Sequence, residues 1–331
     1  MDRRTFITGA LSAGVSLGLG LAGCGSRADT DVAEREDERP SAEAADGGAQ
    51  PPQEDVGTPA ATAAGRSVVL NCGVEMPTLG LGTYILTPSQ AEESVYAALM
   101  AGTRLIDTAR IYGNEEGVGR GIARAGVPRE EVFLTTKLWT ADYQMAAAAI
   151  DASLARLGVD YVDLLLLHHE DQGDEEAYRA MEDAYEAGKV RSIGISNYYE
   201  EGYDRICSVA RIAPAVLQNE THPYFQERDV KDHFAAAGAQ TVLESWFPLG
   251  GKDNCQVLFA NETIAEVAAN HAVSPAQALI RWYLQSGNVC IPGSSNPDHI
   301  REDADVFGFE LTPDEMAAID ALERGERLAW Y

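Results

Sequence analysis

Three stretches decide the fold: LIDTARIY at Leu105–Tyr112, FLTTK at Phe133–Lys137 and VDLLLLH at Val162–His168. Each is a short apolar run rich in β-formers that ends on a polar or ionisable side chain, and segments of helical period lie around them. That period predicts helices over Ser89–Ala101, Glu115–Ala125, Tyr143–Leu157, Glu175–Ala187 and Ser274–Ser286. Thr87-Pro88-Ser89 and Ser274-Pro275 supply the start signals of two of them. Further apolar runs at Ile193–Ile195, Val216–Leu217, Thr241–Leu243 and Val289–Ile291 read as strands. Repeated strand-helix units imply an α/β fold with a parallel sheet, and eight such units close into a (β/α)8 TIM barrel. A doubly wound open sheet is the alternative. Gly117, Gly119 and Gly121 are spaced GxGxG with no strand running directly into them, so they read as close helix packing and not as a dinucleotide fingerprint.

The C-terminal ends of the strands are where a barrel keeps its chemistry. Asp107, Tyr112, Lys137 and His168 fall where such ends are expected, and together they read as a proton-delivery site. A phenol with a pKa of about 10 needs help to act as an acid. A lysine ammonium beside Tyr112 is expected to favour its phenolate, Asp107 to keep Lys137 charged and aimed, and His168 to donate to the same substrate oxygen. The neighbouring His169 does not suggest a metal site, because adjacent residues on a strand point to opposite faces. Cys72, Cys207, Cys255 and Cys290 form no CxxC pair and no zinc-spaced cluster, and the sequence does not decide their disulfide state.

Several ordered motifs carry a resemblance. MPTLGLGTY at Met76–Tyr84, GTRLIDTARIYGNEEGVG at Gly102–Gly119, GISNY at Gly194–Tyr198, LQNETHPY at Leu217–Tyr224 and IPGSSNPDHIRED at Ile291–Asp303 are similar to segments of the aldo-keto reductases. From about Arg66 to Leu322 the chain resembles that family, whose members are monomeric barrels that pass hydride between a nicotinamide cofactor and a carbonyl. The family's catalytic four fall on Asp107, Tyr112, Lys137 and His168. The resemblance further implies a cofactor site built from Gly82, Thr83, Ser196, Asn197, Gln218, Trp246, Pro248, Leu249, Ser294, Ser295, His299, Glu302 and Asp303. In it, Ser196, Asn197 and Gln218 hold the nicotinamide carboxamide, Trp246 stacks on the ring, and the turn Pro248-Leu249-Gly250 approaches the pyrophosphate. Phe247 stands where a small serine is common.

The adenosine end departs from the pattern. NADP-dependent members usually carry lysine and arginine where this chain has Gly293 and His299, although Ser294, Ser295, Asn296 and Arg301 offer a phosphate nest near Pro297. The expected cofactor is NADP, with NAD as the alternative. Tyr84, Trp139 and His169, with Trp330 and Tyr331, are the expected substrate contacts, which implies an apolar or aromatic carbonyl compound. The alternative function is a membrane-tethered sensor or regulatory subunit that binds cofactor with little turnover.

A barrel needs roughly 250 residues, and the surplus of this 331-residue chain lies at its front. Residues 1–23 pair Arg3-Arg4 with a small-residue apolar run and read as a twin-arginine export signal. Leu21-Ala22-Gly23-Cys24 resembles a lipobox, with Cys24 lipidated as the mature N-terminus. An uncleaved anchor or a misplaced start is the alternative. The apolar stretch from Ala10 to Gly23 is short for a span, which takes about 20 residues. Residues 24–65 are Ala, Gly, Pro, Glu, Asp and Gln with almost no large apolar side chain, so they read as a disordered acidic tether. A coil of roughly 40 residues reaches roughly 35 Å. Residues 66–331 form the barrel, held on the extracytoplasmic face by the lipid. A net charge of −27 excludes nucleic acid and anionic lipid as partners of the folded surface and suits a salty medium.

Overall fold

The computed structural model describes residues 67–329. The signal segment, the tether, Cys24, Trp330 and Tyr331 lie outside the described residues. A short hairpin comes first, β1 (Ser67–Val69) and β2 (Glu75–Pro77), turned at Gly73. Eight parallel strands follow: β3 (Gly80–Gly82), β4 (Leu105–Asp107), β5 (Phe133–Leu138), β6 (Leu164–Leu167), β7 (Ile193–Ser196), β8 (Val216–Glu220), β9 (Val242–Trp246) and β10 (Val289–Cys290). Each pairs with the next. A parallel bridge between Leu79 and Cys290 joins the last strand to the first, and Gly82 N donates to Pro292 O at 2.9 Å beside it. The sheet is therefore closed, and the open doubly wound alternative does not apply.

The helices are α1 (Pro88–Met100), α2 (Glu115–Ala125), α3 (Ala146–Leu157), α4 (Asp174–Glu186), α5 (Glu200–Val209), α6 (Arg228–Ala236), α7 (Gly251–Phe259), α8 (Glu262–Asn270), α9 (Pro275–Gln285), α10 (Pro297–Ala304) and α11 (Pro313–Asp320). Thr87 with Gln90, and Ser274 with Gln277, form capping boxes that satisfy the first free amides of α1 and α9. The helix expected from Tyr143 starts instead as a 3-10 turn, Thr140–Met145, and becomes α-helical at Ala146. Gly117 and Gly119 sit where a β-carbon would lie 2.0 Å from Pro88 O and 2.2 Å from Leu157 O, so α2 packs backbone against its neighbours.

Alternation along the strands sets what faces the barrel axis. Ile106, Leu134, Leu165, Leu167, Ile195, Leu217 and Leu243 pack outward against the helices. Leu105, Phe133, Leu164, Leu166 and Val216 pack inward, and Leu70 and Met76 of the hairpin close the floor beneath them. Two residues further along those same inward rows come Asp107, His168 and Gln218, and four beyond Phe133 comes Lys137, which is why the interior is apolar at its base and ionisable at its mouth.

Candidate active site

Lys137, the penultimate residue of β5, is completely buried. Its Nζ donates to Asp107 Oδ1 at 2.6 Å, Asp107 Oδ2 at 2.8 Å, Thr108 O at 3.0 Å and Tyr112 Oη at 3.4 Å. Asp107 closes β4, but Tyr112 does not lie on a strand end as expected. The chain leaves β4 after Asp107, and Tyr112 ends a 3-10 turn over Arg110–Tyr112. That turn swings the phenol back over the barrel axis. His168 follows the end of β6, and its ring lies edge-on to Tyr112 at 5.6 Å and to Trp139 at 5.3 Å.

His169 is stacked on His168, centroids 5.1 Å apart and 10° from parallel, and does not point to the opposite face. Both residues lie beyond β6, where strand alternation no longer applies. Among the described residues no cluster of His, Cys, Asp or Glu is arranged to hold a metal ion.

The electrostatics differ from expectation at the phenol. Burial, then the Asp107 carboxylate, Tyr84 and Glu244, push Tyr112 well above its usual pKa. The Lys137 ammonium 3.4 Å away does not offset that burial. Burial likewise drives His168 well below its usual value, aided by Lys137 and His169, so the ring is neutral. Its buried Nδ1 has no hydrogen-bond partner. The second carboxylate, Glu244 on β9, was not anticipated. Gln218 Nε2 donates to Asp107 Oδ2 at 2.9 Å and to Glu244 Oε2 at 2.8 Å. Burial and the Asp107 charge push Glu244 up to about 8. The signal for Glu244 was its place two residues before Trp246, on the inward row of β9.

The residues expected around the nicotinamide are gathered at one side of this cluster. Asn197 takes a left-handed backbone, φ 59°. Its Nδ2 donates to His168 O at 2.9 Å and Ser196 Oγ at 3.0 Å, and its Oδ1 accepts from Trp246 Nε1 at 3.1 Å. The Asn197 amide is thus consumed in holding His168, Ser196 and Trp246 in place. Gln218 likewise spends its amide hydrogens on carboxylates. The Ser196 hydroxyl and Gln218 Oε1 remain for a carboxamide, beside the half-buried indole of Trp246, so a donor, an acceptor and an aromatic platform fit a nicotinamide. Thr83 donates through both N and Oγ1 to Asp107 O, at 3.0 Å and 2.9 Å. Gly82 and Gly293 face each other across the closure, where a β-carbon on either would lie 2.9 Å from a carbonyl oxygen.

The other predicted cofactor residues do not converge as closely. Pro248 is buried and its carbonyl accepts from Tyr283 Oη at 3.3 Å, while Leu249 packs on the α8–α9 cluster. Ser294 Oγ accepts from Asn296 N at 3.1 Å, and Asn296 caps α10. Ser295, His299 and Glu302 are exposed, and Arg301 is ion-paired with Asp298. Asp303 turns inward from the same helix, and burial with Glu302 pushes it up to about 7. Glu302 and Asp303 therefore face different surroundings, as neighbours on a helix must.

Residues 327–329 lie against the C-terminal end of β8. Glu220, at the close of β8, accepts from Arg327 Nε at 2.6 Å and from Leu328 N and Ala329 N, each at 2.8 Å. Burial opposes its charge, but these bonds and His222 hold Glu220 at about 2.

Comparison with known proteins agrees with this geometry. Residues 78–324 match the Aldo/keto reductase family. The glyoxal reductase of Bacillus subtilis is 43% identical over 266 residues, 79% of this chain and 94% of that protein. A crystal structure of an aldo-keto reductase from a Medee basin deep-sea metagenome library has a TM-score of 0.76 at 40% identity, covering 79% of this chain and 96% of that one. A Bombyx mori aldo-keto reductase in complex with NADP has a TM-score of 0.74 at 32% identity, covering 80% and 94%.

Proposed function

This chain belongs to the aldo/keto reductase family and is an NAD(P)-dependent oxidoreductase, and from that premise we propose that it reduces an aldehyde or ketone with Tyr112 as the general acid. The observation that carries the assignment is the buried Lys137 ammonium held by Asp107 within 3.4 Å of the phenol. A dihydronicotinamide held beside Ser196, Gln218 and Trp246 would supply a hydride to the carbonyl carbon. As the carbon–oxygen π pair becomes an O–H bond, Tyr112 gives up its proton. The resulting phenolate faces Lys137, whose charge then has a second anion to stabilise, and solvent returns the proton. A phenol with a raised pKa stays fully protonated in the ground state, and His168, neutral, donates a hydrogen bond to the same oxygen without adding charge. Ser196 and Gln218 would hold the carboxamide and so choose the ring face presented.

NADPH is the proposed reductant, its 2′-phosphate placed near Ser294, Ser295 and the N-terminus of α10. We also propose that Cys24 is lipidated after export and that the enzyme works as a tethered monomer outside the cytoplasm. Tyr112→Phe is expected to lower kcat by roughly 10²–10⁴ while titration of protein fluorescence with NADPH and NADH is unchanged, NADPH binding the tighter. A fully active variant overturns the role of Tyr112. Tight nucleotide binding by the native enzyme, without turnover of any carbonyl compound, supports the tethered sensor instead.

A further inference from the structure

The strand that delivers His168 stops at Leu167, and α4 does not begin until Asp174. His168 and His169 are therefore held by what their peptide groups find outside the sheet, yet the two rings are stacked with centroids 5.1 Å apart and 10° from parallel. Peptide groups withdrawn from water need partners, and each of the four here has one. His168 N donates to Leu138 O at 3.1 Å, and His168 O accepts from Asn197 Nδ2 at 2.9 Å. Both polar groups of His169 turn to one side chain. Tyr143 Oη accepts from His169 N at 3.3 Å and donates to His169 O at 2.6 Å.

A second phenol reaches for the same carbonyl. Tyr198 Oη lies 3.3 Å from His169 O but 2.8 Å from Asp174 Oδ2. A hydroxyl has one hydrogen to give, and the carboxylate is both the nearer and the charged acceptor, held in place by Arg205 at 2.6 Å and 2.9 Å. That leaves Tyr143 as the donor to His169 O. Burial pushes its phenol well above the usual range, so the hydrogen stays available. Tyr143 is the buried residue of the 3-10 turn Thr140–Met145, and its ring belongs to the apolar layer between strands and helices. The turn and the loop after β6 are closely apposed, since a β-carbon on Gly173 would lie 3.8 Å from Tyr143 Cβ and 3.3 Å from Gln144 Nε2. Packing alone does not call for a tyrosine, because phenylalanine fills the same space. What the hydroxyl adds is a grip on the His169 peptide.

We propose that Tyr143 is a positioning residue for the reduction: by clamping the His169 peptide it fixes the plane of the stacked His168 and His169 rings, and with it the direction from which His168 meets the substrate oxygen. The proposal rests on the carbonyl-reduction reading and goes beyond it by giving a role to a side chain outside the Tyr112, Lys137 and Asp107 cluster. Transmission is short. The clamp acts one peptide unit from His168, and a hydrogen bond to a reacting oxygen weakens steeply as its angle falls towards about 120°.

The test uses the purified full-length enzyme with NADPH and two probe aldehydes, benzaldehyde and hexanal. Tyr143→Phe is expected to lower kcat roughly tenfold or more, with the Kd for NADPH unchanged. Tyr178→Phe is the control, since it also deletes a buried phenol hydroxyl, one that donates to Ile212 O at 2.9 Å. Its kcat should match the parent's, while both variants lose about 2–4 °C in melting temperature. In a His168→Gln background, adding Tyr143→Phe should change kcat by less than about twofold, because the group it aims is gone. An unchanged kcat in Tyr143→Phe, or an undiminished further loss in that background, overturns the proposal. The ring resonances of isotope-labelled histidine give a readout independent of turnover. Those of His168 and His169 are expected to shift in Tyr143→Phe while those of His233 and His271 stay, and His168 and His169 signals that do not move overturn the clamp. If the native enzyme reduces neither aldehyde, the reduction reading fails and the clamp is judged by these resonances alone.

Discussion

At the scale of single residues the site is an exercise in sharing one positive charge. Lys137 faces Asp107 directly, and Gln218 couples that carboxylate to Glu244. One ammonium cannot hold two buried carboxylates ionised, and Glu244, with no lysine contact of its own, keeps its proton. The folded pKa of about 8 lies above the ordinary 4.5. Between those values the native state binds a proton that the unfolded chain has released, so this group's contribution is full below the lower value and is lost as pH rises to the upper one. Glu244→Gln removes that loss. Its melting temperature relative to the parent is expected to rise between about pH 5 and about pH 8.5, as followed by circular dichroism. An offset independent of pH would show that Glu244 is not the protonated member.

At the scale of elements, contacts without side chains do much of the positioning. The α2 helix carries the chain from the Tyr112 turn back down the barrel and meets Leu157 O through Gly119. Gly119→Ala has no room for its methyl group and is expected to cost about 1–3 kcal/mol in urea denaturation. Because Gly119 makes none of the hydrogen bonds of Tyr112, Lys137 or Asp107, kcat of the folded fraction should hold.

Element boundaries also explain what could be read from sequence and what could not. The apolar cores of β6 and β7 were legible because parallel strands covered on both faces read as continuous hydrophobic runs. Strands β8 and β9 were read too short, stopping at Leu217 and Leu243, since their last residues, Gln218, Asn219, Glu220, Glu244 and Ser245, are polar. Those residues face a polar mouth or neighbouring loops, and composition cannot distinguish that from a loop. Asp107, Lys137 and His168 were legible for the opposite reason, each being an ionisable group closing an apolar run. The backbone departure that carries Tyr112 off β4 leaves no such signal, and neither does the burial that reverses the expected shift of its phenol. The stacking of His168 on His169 was hidden because β6 ends one residue before the pair.

At the scale of the whole molecule, the charge of −27 and the proposed lipid at Cys24 belong together, since a strongly acidic barrel has little affinity of its own for an anionic membrane. Cys24→Ala is expected to move the protein from the membrane fraction to the soluble fraction, as seen by immunoblotting after centrifugation, with kcat/KM unchanged. Retention in the membrane fraction would place the anchor elsewhere.

The hairpin at Ser67–Pro77 lies at the opposite end of the barrel from the catalytic mouth. Leu70 and Met76 share one apolar cluster with the first residues of β4, β5, β6, β8 and β10, and Asn71 reaches Ala213 O and Pro214 O just ahead of β8. The described chain therefore enters the barrel through its sealed end. A bead, a fusion partner or an electrode coupled at Ser67 takes hold of the enzyme by its base, at the end of the barrel opposite the catalytic mouth.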